Sequence, residues 1–311
     1  MTLIVTGSIG IDSVETPTRS MDGVLGGSSI YFAAAASFFG PVRVVGAVGE
    51  DFPDAFMETF RHFGIDQSGI ERRTGSQTFR WHGRYMQNMN VRETVSVQLN
   101  VLAEDLPTVP ESYRDSQYIF LANTDPVSQM QLLSQFPHCK LSVADTMDLW
   151  ISTQKDQLTQ LMKKIDGLVL NSDEAEQLTG ETNAVRAAEQ ILGMGPRFVV
   201  VKKGEHGALV VHGGDKVVLP AFPASDVVDP TGAGDSFAGG MMGHLAHTGD
   251  LSLPSLRMAT AYGTIVASFN IESFSLDRLR QLRRADIDQR LSEYRAMLDL
   301  SEGSTANRTA H

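Results

Sequence analysis

Short apolar runs alternate with amphipathic or alanine-rich segments along most of the chain, and this rhythm predicts the elements. Thr2–Thr6 (TLIVT), stopped by Gly7, reads as a buried strand. Ile30–Phe39 (IYFAAAASFF) follows the small residues Gly26 to Ser29 and reads as a helix. Val42–Val48 is the next strand and Pro53–Phe63 the next helix, ending at Gly64. Further strands are expected at Tyr118–Ala122, Leu141–Ala144, Leu168–Leu170 and Phe198–Val201, with helices such as Asp173–Leu178 and Asn183–Leu192 among them. Alternation of this kind implies an α/β fold with a mostly parallel sheet covered on both faces. Ligands in such sheets bind beyond the carboxyl ends of the strands.

Two segments break the rhythm. Thr78–Leu99 is β-rich with no helix inside it, and Phe79, Trp81 and Tyr85 alternate with Arg80, His82 and Arg84. Asp12–Leu25 is irregular and contains Pro17. Paired together, 12–25 and 78–99 would make a small sheet standing off the body, either a lid over a site or a hairpin shielding an edge. Residues 1–300 then form one domain, and the small polar stretch 301–311 is expected to be a disordered tail.

Composition narrows the partners. The 311 residues are 42% hydrophobic and 20% charged, ordinary for a globular chain. A formal charge of −11 argues against bulk binding to nucleic acid or anionic membrane, while leaving room for a local basic pocket. One cysteine, Cys139, excludes an internal disulfide framework and suits a reducing cytosol. The start, MTLIVTGSIGID, lacks the pattern of a signal peptide, and no apolar run reaches the ~18 residues of a membrane span. A soluble, cytoplasmic protein is expected.

The candidate chemistry lies at residues 229–240, DPTGAGDSFAGG, where an extended Ala221–Val228 meets the apolar, helix-like Phe237–His247. The amides of Gly232, Ala233, Gly234 and Asp235 would have no intrahelical acceptor there, and so would form an anion site. Asp235 would be either an N-cap or a base facing a bound group. N-capping accounts for one Asp or Ser, not for Gly232, Gly234, Gly239 and Gly240 together. The last two, inside the helix, suit close packing against the sheet. Other phosphate motifs fail. No Gly-Lys pair exists for a P-loop, Phe237 stands where a dinucleotide fingerprint needs its third glycine, and the protein-kinase signatures are absent.

These residues resemble the ribokinase-like, or PfkB, carbohydrate kinases. DPTGAGDSFAGG is similar to that family's C-terminal signature, and residues 26–66, with Gly26, Gly27, Gly46, Gly49 and Asp51, are similar to its N-terminal one. NSDEAEQLTG at 171–180 and VKKGEHGALV at 201–210 extend the likeness over most of the chain. The resemblance implies a three-layer α/β sandwich with a small β-lid, moving the γ-phosphoryl of ATP to a hydroxyl with Mg²⁺ as cofactor. It implies Asp235 as general base and the Gly232, Ala233 and Gly234 backbone as anion hole. Asn171 and Glu174 would organise magnesium and phosphate through water, although a helix cap with acids in its first turn reads equally well from the residues alone. Lys202, Lys203, Gly204, Gly207 and Thr231 fall where the family holds ATP.

Acceptor positions follow in the same way. Asp12 matches an aspartate that takes hydrogen bonds from sugar hydroxyls, and Gly26, Gly27 and Ser28 would bring the backbone close to the sugar. The family often has an asparagine where this chain has Tyr31, which either stacks on a ring or fills the core. Trp81, with Phe79 and Tyr85, would cover a sugar or base, and Arg80 and Arg84 would meet a phosphate. His244 and His247 have metal-binding spacing but read as packing, and Asp145 after its strand would line the cleft. The expected activity is phosphorylation of a small sugar or polyol, with nucleosides as the alternative acceptor and a catalytically silent sugar or nucleotide sensor as the alternative of another class. An apolar lid face would suit a homodimer.

Overall fold

The first expected strand forms as β1 (Leu3–Thr6), and its side chains divide between two cores: Leu3 and Val5 enter one, Ile4 the other. This holds in the computed structural model, which describes residues 2–299. The expected tail at 301–311 lies outside the described residues. In chain order the other strands are β2 (Gly10–Glu15), β3 (Ser20–Gly26), β4 (Val42–Gly49), β5 (Asp66–Arg73), β6 (Phe79–Tyr85) and β7 (Arg92–Gln98). They continue as β8 (Tyr118–Leu121), β9 (Leu141–Asp145), β10 (Gly167–Asn171), β11 (Phe198–Lys202), β12 (Ala208–His212) and β13 (Asp215–Leu219). Nine of them form one sheet in the order β13-β12-β11-β10-β9-β8-β1-β4-β5. From β11 to β5 every pairing is parallel; β12 and β13 add antiparallel strands at one edge.

Helices cover both faces, as two-faced burial of parallel strands requires. The helices are α1 (Ser28–Ser37), α2 (Asp54–His62), α3 (Pro126–Leu133), α4 (Asp148–Thr153), α5 (Lys155–Met162), α6 (Ser172–Thr179), α7 (Ala184–Leu192), α8 (Ala233–Thr248), α9 (Leu253–Asn270) and α10 (Arg284–Leu298). Residues of α1, α2, α8, α9 and α10 share a core with Leu3 and Val5. Residues of α3 to α7 share the other with Ile4. The three-layer arrangement expected from the sequence is thereby present.

The second sheet corrects one reading. Asp12–Leu25, expected to be irregular, contains most of β2 and β3, which pair antiparallel with a bulge between Asp12 and Val14. That bulge breaks the period-two pattern that would have marked the strand. The sheet runs β3-β2-β6-β7, with β2 and β6 parallel and β6 and β7 antiparallel. Ala221–Val228, expected as extended sequence, forms no ladder and crosses as a loop.

Gly239 and Gly240 pack against helices rather than the sheet. A Cβ at Gly239 would come within 2.3 Å of the Phe32 carbonyl oxygen in α1, and one at Gly240 within 3.0 Å of the Tyr262 carbonyl oxygen in α9. Bare backbone at these two positions lets α8 wedge between its neighbours. Gly239→Ala should therefore lower stability by about 1–3 kcal/mol, the usual range for overpacking. Denaturant melts check this; an unchanged midpoint would mean that α1 yields without cost.

Candidate active site

The carboxyl ends of three adjacent strands each carry a functional side chain. Asp145, Asn171 and Lys202 are the last residues of β9, β10 and β11. The parallel register sets Asn171 directly beside Lys202 and Asp145 beside Val169, two residues short of Asn171. Lys202 turns inward and its Nζ lies 3.6 Å from Asp145 Oδ2. Burial pulls the ammonium down, but Asp145, Glu174 and Asp235 outweigh it and hold Lys202 above its ordinary value. Asp145, buried beside it, is held above the usual carboxylate range by desolvation, with Lys202 opposing. Lys203 separates from its neighbour and is exposed at the start of the turn to Gly207, where its amide donates to the Gly207 carbonyl at 2.7 Å.

Asn171 and Glu174 form the capping box of α6. Asn171 Oδ1 accepts from the Glu174 amide at 2.8 Å, and Glu174 Oε2 accepts from the Asn171 amide at 2.7 Å. The helix-start reading is thus realised, and it aims a buried carboxyl at the same place as Lys202. Desolvation, reinforced by Asp145, pushes Glu174 up to about 7 despite Lys202.

The glycine run adopts the expected loop-to-helix transition. Gly232 is the N-cap of α8, with φ 74 in the left-handed region that favours glycine. A Cβ there would also strike the Tyr31 ring at 2.2 Å. The first intrahelical bond runs from the Ser236 amide to the Gly232 carbonyl at 2.8 Å, so the amides of Gly234 and Asp235 precede it. The Ala233 amide instead donates to the Pro230 carbonyl at 3.1 Å. A Gly234 Cβ would lie 2.9 Å from Lys202 Nζ, so the ammonium sits directly against the helix N-terminus. Helix dipole and ammonium combine as an anion site that fits a phosphoryl group. Glu174 and Asp145 beside it supply the hard oxygen donors that suit Mg²⁺, which binds through few carboxylates, waters and substrate phosphates.

Asp235, half-buried at this terminus, is pushed up to about 7 by desolvation and by Asp145, with Lys202 and Arg92 opposing. A carboxylate poised there is suited to proton transfer near neutrality. Thr231 is fixed from several sides. Its amide donates to Asp229 Oδ1 at 2.8 Å, its hydroxyl to the Tyr85 oxygen at 3.2 Å, and its carbonyl accepts from Asn270 Nδ2 at 2.8 Å. Asn270 Oδ1 also accepts from the Ser236 hydroxyl.

On the small sheet, Asp12 pairs in register with Val24 on one side and Trp81 on the other, so the three share a face. Its carboxylate lies so close to Gly26 that a Cβ there would fall 1.9 Å from Oδ2. Desolvation and the Asp229 charge push Asp12 up to about 8, against a hydrogen bond from the Gly27 amide. Tyr31 is wholly buried against Gly232 rather than open for stacking. Three buried oxygens without a partner gather here: Asp12 Oδ1, Tyr31 OH and Asp229 Oδ2. Each unmet group of this kind costs about 1–3 kcal/mol, which a ligand rich in hydroxyls would relieve. Ser28 is engaged elsewhere, its amide and hydroxyl both 3.0 Å from Ser8 Oγ.

Other expectations shift. Arg80 pairs with Asp51 at 2.6 Å and Arg84 with Glu15 at 2.7 Å, both on the sheet face opposite Trp81, so neither meets a phosphate. Trp81 donates from Nε1 to Thr94 Oγ1 and lies under the Arg92 guanidinium, 5.6 Å from its ring centre. His247 bonds to the Phe39 carbonyl and His244 lies against the Tyr262 ring, the packing roles expected. Sequence reasoning assigned no role to Asp229, Asn270 or Arg92. Asp229 carried a signal in its Asp-Pro turn. Asn270 carried none, being 39 residues from the Thr231 it holds.

The raised carboxyls make a stability prediction. Asp12, Glu174 and Asp235 keep their protons in the folded chain to about pH 8, 7 and 7, but in the unfolded chain only to about 4. The folded state then binds more protons, and stability falls as pH rises through these values. His244, which burial holds at about 4 instead of 6.5, acts oppositely below pH 6.5. The ligand-free melting temperature should therefore drop between about pH 6.5 and 8, and Asp12→Asn should flatten the slope. A flat wild-type profile would contradict this electrostatic picture.

A family model described as pfkB family carbohydrate kinase matches residues 18–273. A cytidine kinase of Thermococcus kodakarensis is 28% identical over 245 residues, covering 77% of this chain and 87% of that protein. A nucleoside kinase of Methanocaldococcus jannaschii, an archaeal member of the ribokinase family, aligns with a TM-score of 0.75 at 18% identity, over 94% of this chain and 98% of that one. Aminoimidazole riboside kinase from Salmonella enterica, solved with aminoimidazole riboside and an ATP analogue, gives 0.75 at 17% identity, over 94% and 100%. These structural likenesses are likenesses of fold.

Proposed function

The chain belongs to the pfkB family of carbohydrate kinases, and from that premise we propose that it moves the γ-phosphoryl of ATP to a hydroxyl of a neutral, hydroxyl-rich acceptor. The observation that carries this reading is the place of Asp235: on the helix N-terminus that presents the anion site, and near enough to Asp12 for its charge to oppose ionisation there. The acceptor oxygen bonds to the γ-phosphorus as the bond from phosphorus to the β–γ bridging oxygen breaks. The hydroxyl proton passes to Asp235, and ADP leaves with the bonding electrons. Gly232 and Gly234 supply backbone donors, Ala233 being engaged by Pro230, and Lys202 supplies a positive charge for the phosphoryl in flight, where positioning and electrostatics dominate the rate. Lys203, Gly204, Gly207 and Thr231 border the nucleotide. Glu174, capped by Asn171, would hold Mg²⁺ through water. Bound Mg²⁺ would neutralise charge on the ATP phosphates.

Asp12 and Tyr31 take the acceptor, with Gly26 and Gly27 forming its backbone wall and Trp81 its apolar side. Asp12, Asp229 and Asp235 around that place repel an anion, which supports neutral sugars or polyols over sugar phosphates and sugar acids. Nucleosides remain a second reading because Trp81 sets a flat ring on the face that carries Asp12. Val97 and Met21, 51% and 41% exposed at the two edge strands of that face, support a homodimer through the small sheet.

An ATP-consumption screen over neutral sugars, polyols, nucleosides, sugar phosphates and sugar acids tests the reading. Turnover should appear with neutral acceptors and rise with pH through about 7 as Asp235 ionises. Asp235→Asn should lower turnover by about 10²–10⁴ with ATP binding nearly intact. Preference for anionic acceptors would overturn the substrate assignment, and ligand binding without turnover in the whole screen would favour a sensor. Val97→Glu should shift the mass in solution from dimer to monomer; a monomeric wild type would remove the proposed interface.

A further inference from the structure

The cluster around Asp12 lacks one kind of partner. Asp12 belongs to β2 on the small sheet, Tyr31 to α1 and Asp229 to the loop before α8, so the three meet at the seam between small sheet and body. All three are buried, and each keeps one oxygen without a hydrogen bond: Asp12 Oδ1, Tyr31 OH and Asp229 Oδ2. The carboxyls themselves are held in place by backbone donors. The Gly27 amide bonds to Asp12, and the Thr231 amide donates to Asp229 Oδ1 at 2.8 Å. Each is thus anchored through part of its hydrogen-bonding capacity and has acceptor capacity to spare.

No cation serves these oxygens among the described residues. The charges that act on Asp12 are those of Asp229 and Asp235, and Tyr31 faces Asp229, Asp12, Tyr85 and Asp235. Asp229 is opposed only by hydrogen bonds from Thr231 and Ser275. Lys202 and Arg92 act on Asp235, at the donor end. The cluster accordingly keeps protons when empty, Asp12 up to about 8. A positive ligand would take the place of those protons. Hydroxyls answer the cluster only in part, because each brings one donor and no charge. A protonated primary amine brings three donors for three oxygens that can each accept, together with the missing charge.

We infer that the acceptor carries a protonated amine beside its hydroxyls, received by Asp12, Tyr31 and Asp229, while a hydroxyl of the same molecule faces Asp235. The inference rests on the phosphoryl-transfer reading and extends its acceptor from neutral polyols to amino sugars and amino polyols. The amine is held and not phosphorylated; the bonds that form and break at the reacting hydroxyl are those given above. Asp12 is carried by the small sheet and Asp229 by the body, so an ammonium between them also offsets the repulsion that opposes their approach.

The test uses probe pairs in which an ammonium replaces a hydroxyl: D-glucosamine against D-glucose, and tris(hydroxymethyl)aminomethane against pentaerythritol. Binding is measured by calorimetry on the full chain at pH 7, in two amine-free buffers of different ionisation heat, and ATP consumption is followed with the same probes. The ammonium member of a pair should bind about 10–100-fold more tightly, as charge-assisted hydrogen bonds do. It should also release about one proton as Asp12 ionises, and the neutral member none. Asp12→Asn should abolish both the preference and the release. Tyr31→Phe keeps the ring against Gly232 and loses one oxygen, so it should reduce the preference about 10-fold without lowering the melting temperature. Equal affinity within both pairs, binding of no probe, or an undiminished preference in Tyr31→Phe overturns the inference. Potassium chloride that releases the same proton and displaces the amine would give the cluster to an inorganic cation and overturn it too. Amines that draw no ATP consumption where neutral probes do overturn the inference and leave the kinase reading intact. No ATP consumption with any probe here or in the acceptor screen overturns the kinase reading and the inference with it.

Discussion

A single ammonium makes this site chemically feasible. Asp145, Glu174 and Asp235 converge where water is largely excluded, and three carboxylates cannot all ionise there unaided. Lys202 is built into the end of β11 and meets them from below, against a backbone stripped of its Cβ at Gly234. One cation shared among three acids leaves protons behind, and Glu174 and Asp235 are accordingly held near neutrality. The helix N-terminus adds positive potential without adding a titratable group.

The surroundings of Asp12 are organised by the opposite condition. Asp12 Oδ1, Tyr31 OH and Asp229 Oδ2 lack partners, and acids crowd one another without a nearby cation. Unpartnered buried oxygens of this kind are costly, and a ligand that brings hydroxyls and no negative charge would relieve them. The two halves of the cleft are thus distinguished by electrostatics rather than by shape alone. Thr231 joins them, bonded to the small sheet through Tyr85 and to the α9 helix through Asn270.

What could be read from the chain was what is local in it. The apolar runs of β1, β4, β8, β10 and β11 announce themselves, because buried parallel strands are continuous in hydrophobicity. The glycine run betrays an anion site because few other structures need so much bare backbone. Long-range pairing was not legible. Arg80 and Arg84 looked available until Asp51 and Glu15 were found beside them, residues 29 and 69 positions away. An extra residue in β7 opposite the His82–Gly83 step resets the alternation, so the face of Arg92 could not be counted from Trp81. Tyr31 was ambiguous because a tyrosine's period fits a core and a pocket equally well.

The wedge of α8 between α1 and α9 has a consequence for how such a protein can change over time. Gly239 and Gly240 clamp that helix from both sides, so the direction of its N-terminus is inherited from packing two turns away from the chemistry. Val24 and Trp81 sit on a separate sheet that carries none of this load. Substitutions there leave the packing that sets the direction of α8 unchanged. Apart from the Thr231–Tyr85 hydrogen bond, the packing that aims α8 and the face that carries Asp12 and Trp81 can therefore change separately, one side chain at a time.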